Sequence, residues 1–196
     1  MKKVITIVAI TLIATLVLIF GGKKVVEVTG DYPFCGACHA WDGAIAQTNL
    51  ADTVHGASAK HGVKVTCTDC HLPHDSNIGY LFTKAKNGVA EGFTTIFGDP
   101  KKKDWLGNRE HTRKNYTFDS SCLKCHANIL KVSDGNITRK TNQMHEKYVQ
   151  FKGTKDAMKC TDCHKHVGHK NLGSMLYEQK FHQPNSWDEW EKEKNK

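Results

Sequence analysis

The chain has little with which to build an ordinary globular core. Only 39% of its residues are hydrophobic, 9% are aromatic, and mean hydropathy is −0.52. One N-terminal run holds much of that apolar content, and the remainder is too poor in aliphatic side chains for a self-sufficient core. No cysteine lies outside four short motifs, which leaves no thiol for a separate disulfide framework. No nucleic-acid-binding motif accompanies the net charge of +8 and the pI near 9.0, so nucleic acid is not an expected partner. A dedicated substrate-site constellation is also missing, which argues against a chain that reduces a small molecule by itself.

What is present is a repeat. All eight cysteines fall in Cys35-Gly36-Ala37-Cys38-His39, Cys67-Thr68-Asp69-Cys70-His71, Cys122-Leu123-Lys124-Cys125-His126 and Cys160-Thr161-Asp162-Cys163-His164. In a C-x-x-C-H unit the two thiols can each form a thioether to one porphyrin while the following imidazole reaches the iron. Zinc ribbons and redox dithiols also use C-x-x-C pairs, but neither requires a histidine after every second cysteine. Four copies imply four covalently bound c-type haems, with His39, His71, His126 and His164 as proximal ligands. Four flat apolar porphyrins supply the core that the side chains cannot. Each also brings two propionates, so much of the basic excess is expected to neutralise them internally.

The expected fold is mainly α with long loops, a membrane helix followed by a small multihaem domain. After Met1-Lys2-Lys3, the run Val4 to Gly22 carries no charge and spans about 28 Å as a helix, one hydrocarbon core. It exceeds a usual signal core and ends without a small-x-small cleavage site, so an uncleaved anchor is expected. Paired lysines flank it on both sides and do not orient it. Because c-type attachment occurs outside the cytoplasmic membrane in bacteria, the haem domain belongs on the periplasmic side of a single-pass anchor. The expected divisions are 1–24 for the cytoplasmic start and anchor, 25–185 for the haem domain and 186–196 for a charged terminal helix opened by a capping-box pattern at Ser186 to Glu189. Only Val25 to Phe34 separates anchor from first motif, which holds that haem at the membrane surface.

Between the motifs, a short helix is expected within Asp42 to Thr53, followed by a loop holding His55 and His61, either of which could be a distal ligand. Asn77 to Phe97 reads as an amphipathic helix, with Phe82, Val89, Phe93 and Ile96 within about sixty degrees of one another. Lys84 and Glu91 share a stripe on its other side, with Gly88 leaving room for a ring system; spacing alone fits a surface ion pair equally well. Trp105 to Asn115 reads as a polar connecting segment with His111 at the surface. Gln143 to Phe151 could form a short helix bearing His145. His169 follows Gly168, which can turn the chain toward an iron other than that of its own motif, whereas His166 is expected at the surface and His182 has no evident role.

The single anchor, the four motifs and the continuation Cys160-Thr-Asp-Cys-His-Lys-His-Val-Gly-His169 resemble the NapC/NirT family of membrane-anchored tetrahaem quinol dehydrogenases. Within it the sequence is most similar to the small subunit of cytochrome c nitrite reductase, the NrfH type, through Pro33-Phe34-Cys35, the Cys67 to His74 stretch, the helix after it and the fourth motif. The resemblance implies a menaquinol site bordered by Lys84 and Glu91. It implies distal ligands at His169, His145 and His55, ranking His55 above His61. It also shows a departure, because the family's C-x-x-C-H-x-M methionine is Trp41 here, which puts the ligation and potential of the first haem in question. The implied function is menaquinol oxidation, with a carboxylate accepting a proton and electrons leaving to a periplasmic partner, a pentahaem nitrite reductase. The alternatives are another periplasmic reductase or soluble cytochromes as partner, and a passive carrier without a quinol site.

Overall fold

The computed structural model describes residues 2–39, 44–56, 58–60, 63–99, 103–131 and 138–181. Among them are ten helices and no strand, the all-helical architecture expected. The first, α1 (Lys2–Val28), is 27 residues, about 40 Å long, and has no buried residue. Its polar side chains are satisfied within the helix: Thr6, Thr11 and Thr15 donate their hydroxyls to the carbonyls of Lys2, Ile7 and Thr11 at 3.0, 2.9 and 2.8 Å, as a helix in hydrocarbon requires. This apolar helix is consistent with a single membrane anchor.

The helix runs past Lys24, where the sequence suggested that the anchor stops. Glu27 pairs with Lys23 at 3.9 Å and Lys24 at 3.7 Å. The chain's exit is then held from outside: Lys84 Nζ donates to the carbonyls of Val26 at 3.1 Å and Thr29 at 2.9 Å. A cation on the last carbonyls of a helix satisfies orphan acceptors and opposes the negative end of the macrodipole. Beyond it, the Gly30 carbonyl accepts the N–H of Thr68 at 3.1 Å, and Asp31 pairs with Lys64 at 3.1 Å. The second motif is thereby fastened to the mouth of the membrane helix.

The motifs build short helices: α2 (Gly36–His39), α4 (Cys67–His71), α7 (Asp119–Cys125) and α9 (Cys160–Cys163). The two Cys-Thr-Asp-Cys-His copies fold alike, because the aspartate three residues into each reaches back to the N-cap amide. Thr66 N–H donates to Asp69 at 2.9 Å and Lys159 N–H to Asp162 at 2.8 Å, which satisfies an orphan donor. Burial would raise the Asp69 carboxyl, but the hydroxyl and amide of Thr66 together with Lys124 hold it below the usual carboxylate range.

The remaining helices are α3 (Ala44–Leu50), α5 (Asn77–Phe97), α6 (Trp105–Asn115), α8 (Arg139–Phe151) and α10 (Leu172–Phe181). Helix α5 has the expected bounds, opening where the Ser76 hydroxyl accepts the Gly79 N–H at 3.0 Å. The polar segment 105–115, expected as a connection, is a helix instead: Asp104 accepts the Gly107 N–H at 2.8 Å, and α6 packs against α9 and α10. Helix α8 starts at Arg139, earlier than expected, because Thr138 caps it through the Thr141 N–H at 3.3 Å. The hydrophobic residues buried among those described are Ala44, Leu72, Tyr148 and Leu176. The helices enclose a cavity of about 1190 Å³, above the roughly 300–1000 Å³ of single small-molecule pockets.

Candidate functional site

The four motifs converge on this cavity. Its wall includes Cys35, Cys67, Cys70, Cys122, Cys125, Cys160 and Cys163 with His71, His126 and His164. The side chains of Cys38 and His39 lie outside the described residues, as do Trp41, His61, His182 and the expected C-terminal helix. The cysteines keep the order of the chain in space. Cys35 and Cys67 are within hydrogen-bond reach of each other, Cys70 neighbours Cys122 and Cys125, and Cys122 and Cys160 are again within hydrogen-bond reach.

Each described motif histidine faces one of the three histidines expected as distal ligands. Ring centres are 6.3 Å apart for His71 and His169, 6.1 Å for His126 and His55, and 6.4 Å for His164 and His145. Two imidazoles on opposite faces of one metal, each bound at about 2.0 Å through a nitrogen about 1.1 Å from its ring centre, stand about 6.2 Å apart. The residues therefore fit three six-coordinate irons.

Local structure aims these rings. His71 Nδ1 donates to the Tyr116 carbonyl at 2.8 Å, which leaves Nε2 for a metal. Burial pulls His71 below the ordinary imidazole range, outweighing that bond, and so favours the neutral ring that ligates. His169 Nδ1 lies 3.1 Å from both the Ile45 carbonyl and the Thr48 hydroxyl. The Thr48 hydroxyl donates to Ala44 at 2.6 Å, so Nδ1–H of His169 donates to Ile45 and Nε2 again points away. Gly168, at φ 80°, makes the turn that brings His169 in, and its carbonyl accepts Asn49 Nδ2 at 2.9 Å.

His55 sits in a loop tied by Asp52, whose Oδ1 accepts the N–H groups of Val54, His55 and Gly56 at 2.8, 2.7 and 3.2 Å. His145 is carried by α8, which is anchored one turn on: buried Tyr148 donates its hydroxyl to Asp119 at 2.7 Å, and the other oxygen of Asp119 accepts the Cys160 N–H at 3.0 Å. Asp52, Asp119 and Tyr148 were not singled out in the sequence. An aspartate three residues ahead of a histidine or cysteine was the available signal.

Lys84 and Glu91 are not equivalent in the structure. Glu91 lines the cavity with Asn87, Cys35 and Gly36, and α2 packs against α5. Lys84 holds the end of α1, with burial drawing its ammonium below the ordinary lysine range against the opposing pull of Cys35. An ammonium has three donors, and the two carbonyls take two. His111 lines the cavity from α6, exposed and bonded to Asn115 at 3.1 Å. His166 also lines it and is exposed.

A family model described as NapC/NirT cytochrome c family, N-terminal region, matches residues 1–174. The cytochrome c-type protein NapC of Paracoccus pantotrophus is 32% identical over 160 residues, which is 79% of this chain and 65% of that protein. The tetraheme c-type cytochrome CymA of Shewanella oneidensis is 29% identical over 176 residues, 85% of this chain and 90% of its own length. The denitrification system component NirT of Stutzerimonas stutzeri is 25% identical over 170 residues, 83% and 80% of the two chains. These names do not single out the nitrite reductase small subunit. No solved structure matches significantly.

Proposed function

Because the chain belongs to the NapC/NirT cytochrome c family, with its covalent c-type haems, we propose that it is a membrane-anchored menaquinol dehydrogenase serving a periplasmic reductase. The observation that carries this reading is the shared cavity into which the motifs converge, with α2 of the first motif packed on α5 and α5 pinned by Lys84 to the mouth of α1. When bound, the four haems carry electrons singly from the membrane side outward. The division follows the sequence reading: an anchor over 1–24 that continues helically to Val28, a haem domain over 25–185 and a charged tail over 186–196.

The chain's own work is to hold each iron and to handle the quinol's protons. His71 with His169 hold the second iron, His126 with His55 the third, and His164 with His145 the fourth. His39 holds the first, and no methionine follows it at position 41. Each cysteine pair forms the two thioethers of its motif. Oxidation of a quinol releases two electrons and two protons. Glu91, in the cavity wall on the helix that packs against α2, takes a proton from a quinol hydroxyl as general base. Lys84 serves first as a strut that fixes the depth of the first motif at the membrane, and its third N–H is the donor that can orient a quinol oxygen.

The narrower reading of the partner is a pentahaem nitrite reductase. It rests on the likeness of the Cys67 to His74 stretch and the following helix to the small-subunit type. The relatives, a cytochrome c-type protein NapC, a tetraheme cytochrome CymA and a denitrification system component NirT, favour a wider choice of reductase equally. Solubilising the membranes and identifying what copurifies decides between them. A stable pentahaem partner supports the narrower reading, and a different reductase or a set of soluble cytochromes overturns it. For the dehydrogenase itself, the purified chain in liposomes should be reduced by menaquinol. Full reduction by dithionite with none by menaquinol would overturn the proposal in favour of a passive carrier.

A further inference from the structure

Helix α6 is the element whose character the sequence misjudged, and polar side chains on it face inward: Arg109, Thr112 and Arg113, with Tyr116 just past its end, line the cavity. Arg113 stands apart from the others. Its Nε is buried and has no hydrogen-bond partner among the described residues. A guanidinium keeps its charge at any pH a protein meets, and a buried charged donor left unpaired is destabilising. Its partner must come from the wall or from what the wall encloses.

The wall does not supply it. Asp69 already accepts from the amide and hydroxyl of Thr66 and from Lys124. Glu91 lines the cavity from α5, the helix that packs against α2 of the first motif. Glu110, on the same helix, is exposed; it feels the charges of Lys114 and Arg113 but spends its bond on Lys114 at 2.8 Å and not on the buried Nε. The helix that carries Arg113 is itself held at both ends. Asp104 caps its start, its Tyr116 carbonyl holds His71, and Lys159 Nζ donates to the carbonyls of Lys114 and Thr117. Arg113 thus sits between the second motif and the fourth.

The occupant of the cavity carries the missing anion. Each haem has two propionate carboxylates, planar acceptors that match the guanidinium fork. We propose that Arg113 is a haem-propionate clamp, donating from its buried Nε to a propionate of a haem held against α6 and setting that haem's potential through its charge. The inference rests on the haem reading of the cavity and goes beyond it in assigning an anion site to a helix with no ligand to iron.

The test uses the haem-loaded full chain with Arg113→Gln and Arg113→Lys. Haem content per chain is measured first, and then the four one-electron components are resolved by spectroelectrochemical titration. Removing the positive charge stabilises the oxidised, more positive iron, so in Arg113→Gln one component should shift to lower potential by about a tenfold change in its equilibrium constant, 59 mV for one electron. Arg113→Lys should leave that component near its wild-type position. Four unshifted components in Arg113→Gln would overturn the clamp, as would a shift in Arg113→Lys as large as that in Arg113→Gln. If Arg113→Gln fails to retain four haems, Arg113→Lys decides alone: a wild-type titration supports the clamp and a shifted one overturns it. A wild-type chain without four haems would instead sink the haem reading itself.

Discussion

Replacing Gly56 with alanine should remove one axial ligand without touching a ligand residue. An alanine Cβ built at Gly56 would lie 1.9 Å from the Asn49 carbonyl oxygen and 2.7 Å from Asp52 Cβ. An ordinary carbon–oxygen contact is about 3.2 Å, so the loop must retreat by about 1.3 Å. The Asn49 side cannot yield instead, because its carbonyl accepts the Asp52 N–H at 3.1 Å and Asp52 in turn holds three amides of the loop. His55, the neighbour of Gly56, moves with the loop, whereas a metal–nitrogen bond tolerates about 0.2 Å. The expected cost is about 1–3 kcal/mol of stability, with conversion of the third haem from low-spin to high-spin. Electron paramagnetic resonance and near-infrared magnetic circular dichroism on the oxidised variant read this directly. The same number of low-spin haems as in the wild type would refute the pairing of His55 with His126.

Two further outcomes follow from the anchoring carboxylates. Asp119→Ala leaves the buried Tyr148 hydroxyl and the Cys160 amide without their acceptor, so stability should fall by about 2–3 kcal/mol and the fourth haem should gain high-spin character as His145 loosens; an unchanged melting temperature would contradict this. Asp31 is held below the carboxylate range because the Tyr32 amide and Lys64 outweigh burial, which alone would raise it. A lowered pKa contributes stability that is present above the unfolded value of 3.8 and lost as pH falls through the folded one. Asp31→Asn should therefore cost roughly 1 kcal/mol at pH 7, and the gap between the two proteins should narrow as pH falls below 3.8 and close only once pH has passed the lower folded value; a constant gap across pH would contradict it.

How much of this was legible in the sequence differs by element. Helix α5 was readable because its apolar stripe and the Ser76 cap are local signals. Helix α6 was not, since its inward stripe of Arg109, Thr112 and Arg113 addresses a cofactor and shows no apolar period. The motifs announce themselves through covalent chemistry that fixes their spacing. The pairing of rings depends on where Gly168 turns the chain, where Asp52 ties the loop and where Tyr148 anchors α8. The Asp52 tie is local, but the bonds from Gly168 to Asn49 and from Tyr148 to Asp119 join residues far apart in sequence. Lys84 shows the same limit: its helix stripe suggested a surface ion pair with Glu91 or a site beside a ring system, and the carbonyls of Val26 and Thr29 became visible only with the end of α1 beside it.

The central claim is that menaquinol is oxidised at the cavity's membrane end, with Glu91 taking the proton. The most direct measurement is reduction of the full chain in liposomes, comparing wild type with Glu91→Gln, using menaquinol and then dithionite as reductant. The account predicts that Glu91→Gln loses menaquinol-driven reduction by about 10²-fold or more while dithionite still reduces all four haems. Menaquinol reduction at the wild-type rate in Glu91→Gln would contradict it.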